Sequence, residues 1–67
     1  MSTDLTSIID ARLYRVPDAM RRLGLSRTVI YELIRVGRLR SVKEGRTRLI
    51  PESAIREYIA LLEREAA

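Results

Sequence analysis

Apolar residues recur at helical spacing in three stretches of this chain and alternate in two short ones, and that pattern predicts its elements in order. The first eleven residues, MSTDLTSIIDA, carry no sustained period. They read as the larger part of a flexible tail over 1–12, with a short helical turn around Leu5–Ile9 as the alternative. LYRV (13–16) is a short extended segment. Pro17 suits the first position of a helix, where its missing N–H is no loss, and Asp18 complements the positive end of the helix dipole. Ala19, Met20 and Leu23 then form an apolar stripe, and Gly24 fits a left-handed C-terminal cap, so the first helix spans 17–23. Ser26 is an N-cap for RTVIYELIRV, a second helix over 27–36 stopped by Gly37. At about 100° per residue, Val29, Ile30, Leu33 and Ile34 fall on one side of it. Thr28, Tyr31, Glu32 and Arg35 fall on the other.

Two helices joined through residues 24–26 have the spacing of a helix-turn-helix, which leaves the second helix free to enter a major groove. Arg40–Lys43 and Thr47–Ile50 alternate as two short strands joined through Glu44-Gly45-Arg46, with Gly45 supplying the positive φ a tight hairpin needs. Pro51 closes the second strand and starts a third helix over 51–65. Its apolar residues Ile55, Tyr58, Ile59 and Leu62 follow i, i+3, i+4, i+7 spacing and pack under the first two helices; a partner-binding stripe is the alternative. The order helix, turn, helix, hairpin, helix makes a mainly α fold with a small β-hairpin, a winged helix-turn-helix over 13–65.

Charge sharpens the picture. The segment Arg27–Arg48 holds Arg27, Arg35, Arg38, Arg40, Lys43, Arg46 and Arg48 against Glu32 and Glu44, while the chain as a whole is only +4. All but one of the basic residues are arginine, the side chain whose fork matches phosphate and guanine. A solvated charged face is the ordinary alternative, but the charge here lies in one continuous segment. Composition narrows the rest. A chain of 67 residues holds one domain, and one this small buries only about 60 % of its unfolded surface. With no cysteine and no histidine it has no disulfide, no thiolate or imidazole metal site and no imidazole base, so neither enzyme nor cofactor is expected. No apolar run approaches the roughly 20 residues of a membrane span and no signal-peptide pattern opens the chain, so a cytoplasmic protein is expected.

At residue level, the LGLS turn, the helix SRTVIYELIRVGRL, the hairpin exit GRTRLIP and a closing helix that ends its stripe on Tyr58 and Ile59 resemble the excisionase-type branch of the MerR-like winged-helix proteins. The resemblance runs over residues 13–59. It implies a recombination directionality factor: a protein that binds repeated sites on double-stranded DNA cooperatively, bends the DNA and steers an integrase towards excision, forming no covalent bond itself. Glu32 stands where many such relatives carry a basic residue, and the long coiled coil of full-length MerR regulators is missing, which argues against an effector-sensing dimer. A small transcriptional regulator on the same domain, or a protein-interaction module without DNA, are the other readings.

On either DNA-binding reading the contacts divide into positioning and readout. Arg27 at the helix start, with Arg38 and Arg40 just beyond its end, suit phosphates, as do Lys43, Arg46 and Arg48 on the hairpin. Thr28, Tyr31, Glu32 and Arg35 are the candidates for base edges. Arg35 forks onto a guanine, Glu32 accepts from a cytosine amine, and Thr28 or Tyr31 meets a thymine methyl. For Glu32 the alternative is an i, i+3 pair with Arg35; for Tyr31 it is a partly buried ring with a wet hydroxyl.

Overall fold

The computed structural model of the protein describes residues 12–67, so the expected N-terminal tail lies, apart from Arg12, outside the described residues. From Leu13 the chain runs β1 (Leu13–Arg15), α1 (Val16–Leu23), α2 (Arg27–Arg35), β2 (Val42–Glu44), β3 (Thr47–Pro51) and α3 (Glu52–Ala66). This is the winged helix-turn-helix order expected from the sequence, with one addition. The LYRV segment does more than lead into the first helix: β1 pairs antiparallel with β3, giving a three-stranded sheet in the order β1-β3-β2.

The register explains that addition. Tyr14 lies opposite Ile50, and Ile50 is fully buried, so the extra strand covers one flank of a core position. On the other flank Val42 lies opposite Leu49 and Glu44 opposite Thr47, leaving Gly45 and Arg46 as a two-residue turn. Gly45 takes φ 60° and no described non-glycine residue has positive φ, which is the pattern of a type II′ hairpin with glycine first.

The core is small. Val16, Ala19, Ile30, Leu39, Ile50, Ala54, Ile55 and Tyr58 are buried in one cluster. Among the described residues the four large, fully buried side chains are Ile30, Leu39, Ile50 and Ile55, drawn from α2, the connector after it, β3 and α3. Each contributes about 1.5–3 kcal/mol relative to exposure, so none of the segments that supply them can be lost without cost. Two expected core positions differ. Val29 is 40 % exposed and Leu62 is 41 % exposed. Val29 borders the outward face of α2, and only Ile30, Leu33 and Ile34 of its stripe meet the core. Leu62 falls beyond the part of α3 that the body covers.

One carboxylate is buried with this core. Glu52, 2 % exposed, opens α3, where a negative charge complements the helix dipole. Its Oε2 accepts from Arg22 Nη2 of α1 at 2.9 Å and from Arg56 Nε at 3.3 Å, and its backbone N–H donates to the Arg12 carbonyl at 2.9 Å. Burial pushes the carboxyl up, but the Tyr14 hydroxyl beside it and the two guanidinium groups prevail and hold it below its ordinary value. That hydroxyl makes no hydrogen bond of good geometry to Oε1, which is left without a partner. Glu52 therefore joins the strand before α1, α1 itself and α3.

Because the folded carboxyl titrates below its unfolded value, its contribution is complete above the ordinary glutamate range and is lost as pH falls through the folded value. Glu52→Gln should lower unfolding free energy by about 1–3 kcal/mol near neutral pH. The gap from wild type should stay constant above about pH 6 and close on acidification. Urea unfolding of both proteins across pH measures this; a gap that ignores pH would show that the charge contributes nothing.

Candidate nucleic-acid interface

The outward face of α2 is built by its two ends. At the start, the Ser26 hydroxyl accepts from the Val29 N–H at 3.3 Å, capping a helix whose first turn has no acidic residue. Arg27 occupies that first turn instead, placing positive charge at the positive end of the dipole, a disfavoured arrangement that an anion would relieve. At the other end Gly37 takes φ 83°, a conformation costly for a side-chain-bearing residue. Arg38 N–H bonds to the Leu33 carbonyl at 2.9 Å and Gly37 N–H to that of Ile34 at 3.2 Å, the two bonds of a Schellman motif. Between these ends Thr28, Tyr31, Glu32 and Arg35 are all exposed, at i, i+3, i+4 and i+7. Tyr31 is 44 % exposed, so its ring is not a core group.

On that face Glu32 and Arg35 are paired. Arg35 Nε donates to Oε1 at 3.1 Å and Nη2 donates to Oε2, a side-on fork. The bond to Glu32 raises the Arg35 pKa further above its already high ordinary value.

The Schellman turn sends the chain across α3. Leu39, 1 % exposed, plugs into the core, and the arginines on either side of it are caught by carboxylates of α3. Arg38 donates to Glu65 through Nη1 at 3.0 Å and Nη2 at 2.7 Å. Arg40 donates to Glu57 through Nε at 3.2 Å and Nη2 at 3.0 Å, with Ser53 Oγ also within 3.2 Å. The Arg38 fork holds the Glu65 carboxyl below its ordinary value. Sequence reasoning gave these two arginines to phosphates and missed their intramolecular partners. The available signal was the spacing of Glu57 and Glu65, two turns apart on one side of a helix that begins soon after the arginines.

The hairpin is different. Lys43 lies directly opposite Arg48, a like-charge cross-strand pair that destabilises an isolated sheet. Arg48 Nη1 donates to the Ser41 hydroxyl at 2.8 Å but meets no carboxylate. Among the described residues, Arg27, Lys43 and Arg46 make no side-chain hydrogen bond or ion pair, and Arg48 makes no ion pair. The eight charged candidate residues therefore fall into two groups. Arg35, Arg38 and Arg40, with Glu32, are internally matched; the α2 start and the wing carry charge that is not. Among the described residues no group of side chains could hold a metal ion, and no helix is long and apolar enough to cross a membrane.

A helix-turn-helix followed by a basic wing and a bracing helix defines the winged helix-turn-helix class. A helix-turn-helix domain family matches residues 13–60. Over 50 residues the chain is 46 % identical to a probable excisionase of Saccharopolyspora erythraea, an alignment covering 75 % of this chain and 51 % of that protein. Over 51 residues it is 39 % identical to an excisionase of Streptomyces ambofaciens, covering 76 % of this chain and 82 % of that one. The chain thus spans about half the length of the first relative and about four-fifths of the second. No solved structure matches it. The chain belongs to the excisionase-type helix-turn-helix family.

If Leu39, rather than its flanking ion pairs, sets the path from α2 to the wing, the two kinds of substitution should differ in cost. Leu39→Ala should destabilise by about 2–5 kcal/mol. Arg40→Ala, which breaks an exposed pair, should cost less than about 1 kcal/mol. Chemical unfolding of the two variants side by side distinguishes them, and equal losses would assign the path to the ion pairs.

Proposed function

We propose that the protein binds double-stranded DNA as an excisionase, a recombination directionality factor, through the domain formed by residues 13–65. Helix α2 enters the major groove, with Thr28, Tyr31, Glu32 and Arg35 facing base edges. The Arg27 end of α2 and the wing residues Lys43, Arg46 and Arg48 take phosphates on either side. Arg38 and Arg40 add positive potential near the backbone, but each contributes less because a carboxylate already engages it.

The observation that carries this reading is the unmatched charge. The fold neutralises Arg38 and Arg40 with forks from α3, yet leaves Arg27, Lys43 and Arg46 without any partner among the described residues and sets Lys43 against Arg48. Such an arrangement costs the isolated protein stability, and a phosphate backbone returns it. Membership in the excisionase family supports the same conclusion.

A single module of this kind buries roughly 600–1,000 Å² on DNA, too little for tight and specific binding alone. The protein therefore occupies adjacent repeats cooperatively, bends the DNA between them, and in that form favours excision by a partner integrase. The elastic cost of such bends, about 1–6 kcal/mol per site, is offset by contacts between neighbouring copies and with the integrase.

Replacing Lys43 and Arg46 together by alanine should weaken binding to every DNA sequence alike. It should also flatten the dependence of log affinity on log salt by about 0.9 for each phosphate no longer neutralised. A salt titration that leaves the slope unchanged would remove the wing from the interface. Circular-permutation gel shifts should show bending that grows with each bound copy, and a reconstituted reaction with integrase should gain excision and not integration. Occupancy of one isolated site without bending, and without effect on recombination, would make the protein a simple regulator instead.

A further inference from the structure

Resting on the reading of α2 as the helix that meets base edges, we propose that Glu32 is a positioning residue: its carboxylate sets the Arg35 guanidinium to read one guanine and does not itself contact a base. A guanidinium carries five N–H donors. Glu32 takes the Nε–H and one N–H of Nη2, which leaves the two of Nη1 and the second of Nη2. Those remaining donors line the end-on edge of the group, where one N–H from each terminal nitrogen points outward in parallel. That edge matches the O6 and N7 acceptors of guanine in the major groove.

Three features of the pair favour this role over a plain surface ion pair. First, both carboxylate oxygens are engaged by Arg35, so Glu32 has only its weaker remaining lone pairs for a cytosine amine. Second, the pair stands in the exposed stripe with Thr28 and Tyr31, and the side chains of Arg35 and Glu32 are 71 % and 55 % exposed, so nothing among the described residues covers the outer edge. Third, the pair is electrically neutral as a unit. A lone arginine at this position slides onto the nearest phosphate as readily as onto a base; a carboxylate beside it repels phosphate and keeps the fork on the groove floor. Unlike Arg27, Lys43 and Arg46, Arg35 is thus matched by a group that directs it and still leaves it able to bind.

The test uses the full chain and a duplex enriched from a randomised library by the wild-type protein, with each position of the enriched site then substituted in turn. Arg35→Ala should lose discrimination at one guanine. Glu32→Ala should lower discrimination at that same guanine by about 2- to 12-fold, the cost of immobilising one long side chain at an interface, while raising affinity for random DNA because a negative charge is gone. Glu32→Gln, which retains one acceptor for Arg35, should fall between. In an Arg35→Ala background, Glu32→Ala should cause no further loss of discrimination. A loss that persists in that background, or that appears at a different base pair, would mean Glu32 reads a base directly and would overturn the proposal. So would a parallel fall in specific and random binding, or unchanged discrimination. Thermal melts of the variants serve as the folding control. A library from which the wild-type protein enriches nothing would instead sink the DNA-binding reading, and this inference with it.

Discussion

A buried carboxylate holds this small domain together. Glu52 is covered by the core yet charged, and a charge removed from water is tolerated only when its partners come to it. Those partners arrive from different parts of the chain: Arg22 from α1 and Arg56 from α3 itself, with the Tyr14 hydroxyl of β1 beside the carboxyl. The backbone N–H of the same residue ties down Arg12. With four large side chains fully buried among the described residues, apolar burial alone leaves the relative placement of these elements loosely determined. A carboxylate with directional partners has fewer acceptable arrangements than an aliphatic cluster does, and in that sense it orients the helix-turn-helix against its bracing helix.

The remaining charge is divided with the same economy. Where a cation would disturb the scaffold, α3 supplies a carboxylate, as Glu65 does for Arg38 and Glu57 for Arg40. For Arg27, Lys43 and Arg46 no carboxylate is supplied among the described residues. Helix α3 is therefore both a structural brace and a filter on the electrostatic surface. It concentrates the effective positive charge at the start of α2 and on the wing, although the arginines are spread along the sequence more evenly than that.

Most of the fold was legible because its elements carry local signals: Ser26 as a cap, Gly37 and Gly45 at positive φ, and the stripe through Ile55 and Tyr58. What the sequence concealed was non-local. The pairing of Leu13–Arg15 with a strand near Pro51 has no signature in three residues, because strand partners are chosen by tertiary geometry. The exposure of Val29 and Leu62 depends on how much of each helix its neighbours cover, which periodicity does not encode. For the candidate site, the outward stripe of α2 and the Glu32–Arg35 pair could be read from spacing. The capture of Arg38 and Arg40 could be read only in part: the spacing of Glu57 and Glu65 offers the acceptors, but matching them to these arginines requires knowing that Leu39 turns inward and carries both neighbours onto α3.

The strand order has a dynamic consequence. The strand β3 is central, bonded on both sides, and anchored by Ile50, whereas β2 is a three-residue edge strand with every residue exposed. Amide protons along β2 therefore exchange with solvent through local opening, without the core being breached, while those of β3 wait for far larger excursions. The protein thus carries its basic hairpin as a compliant outrigger on a stiff beam. Lys43 and Arg46 can shift with that hairpin, and the cost of such a shift stays within a few residues and does not reach Ile50.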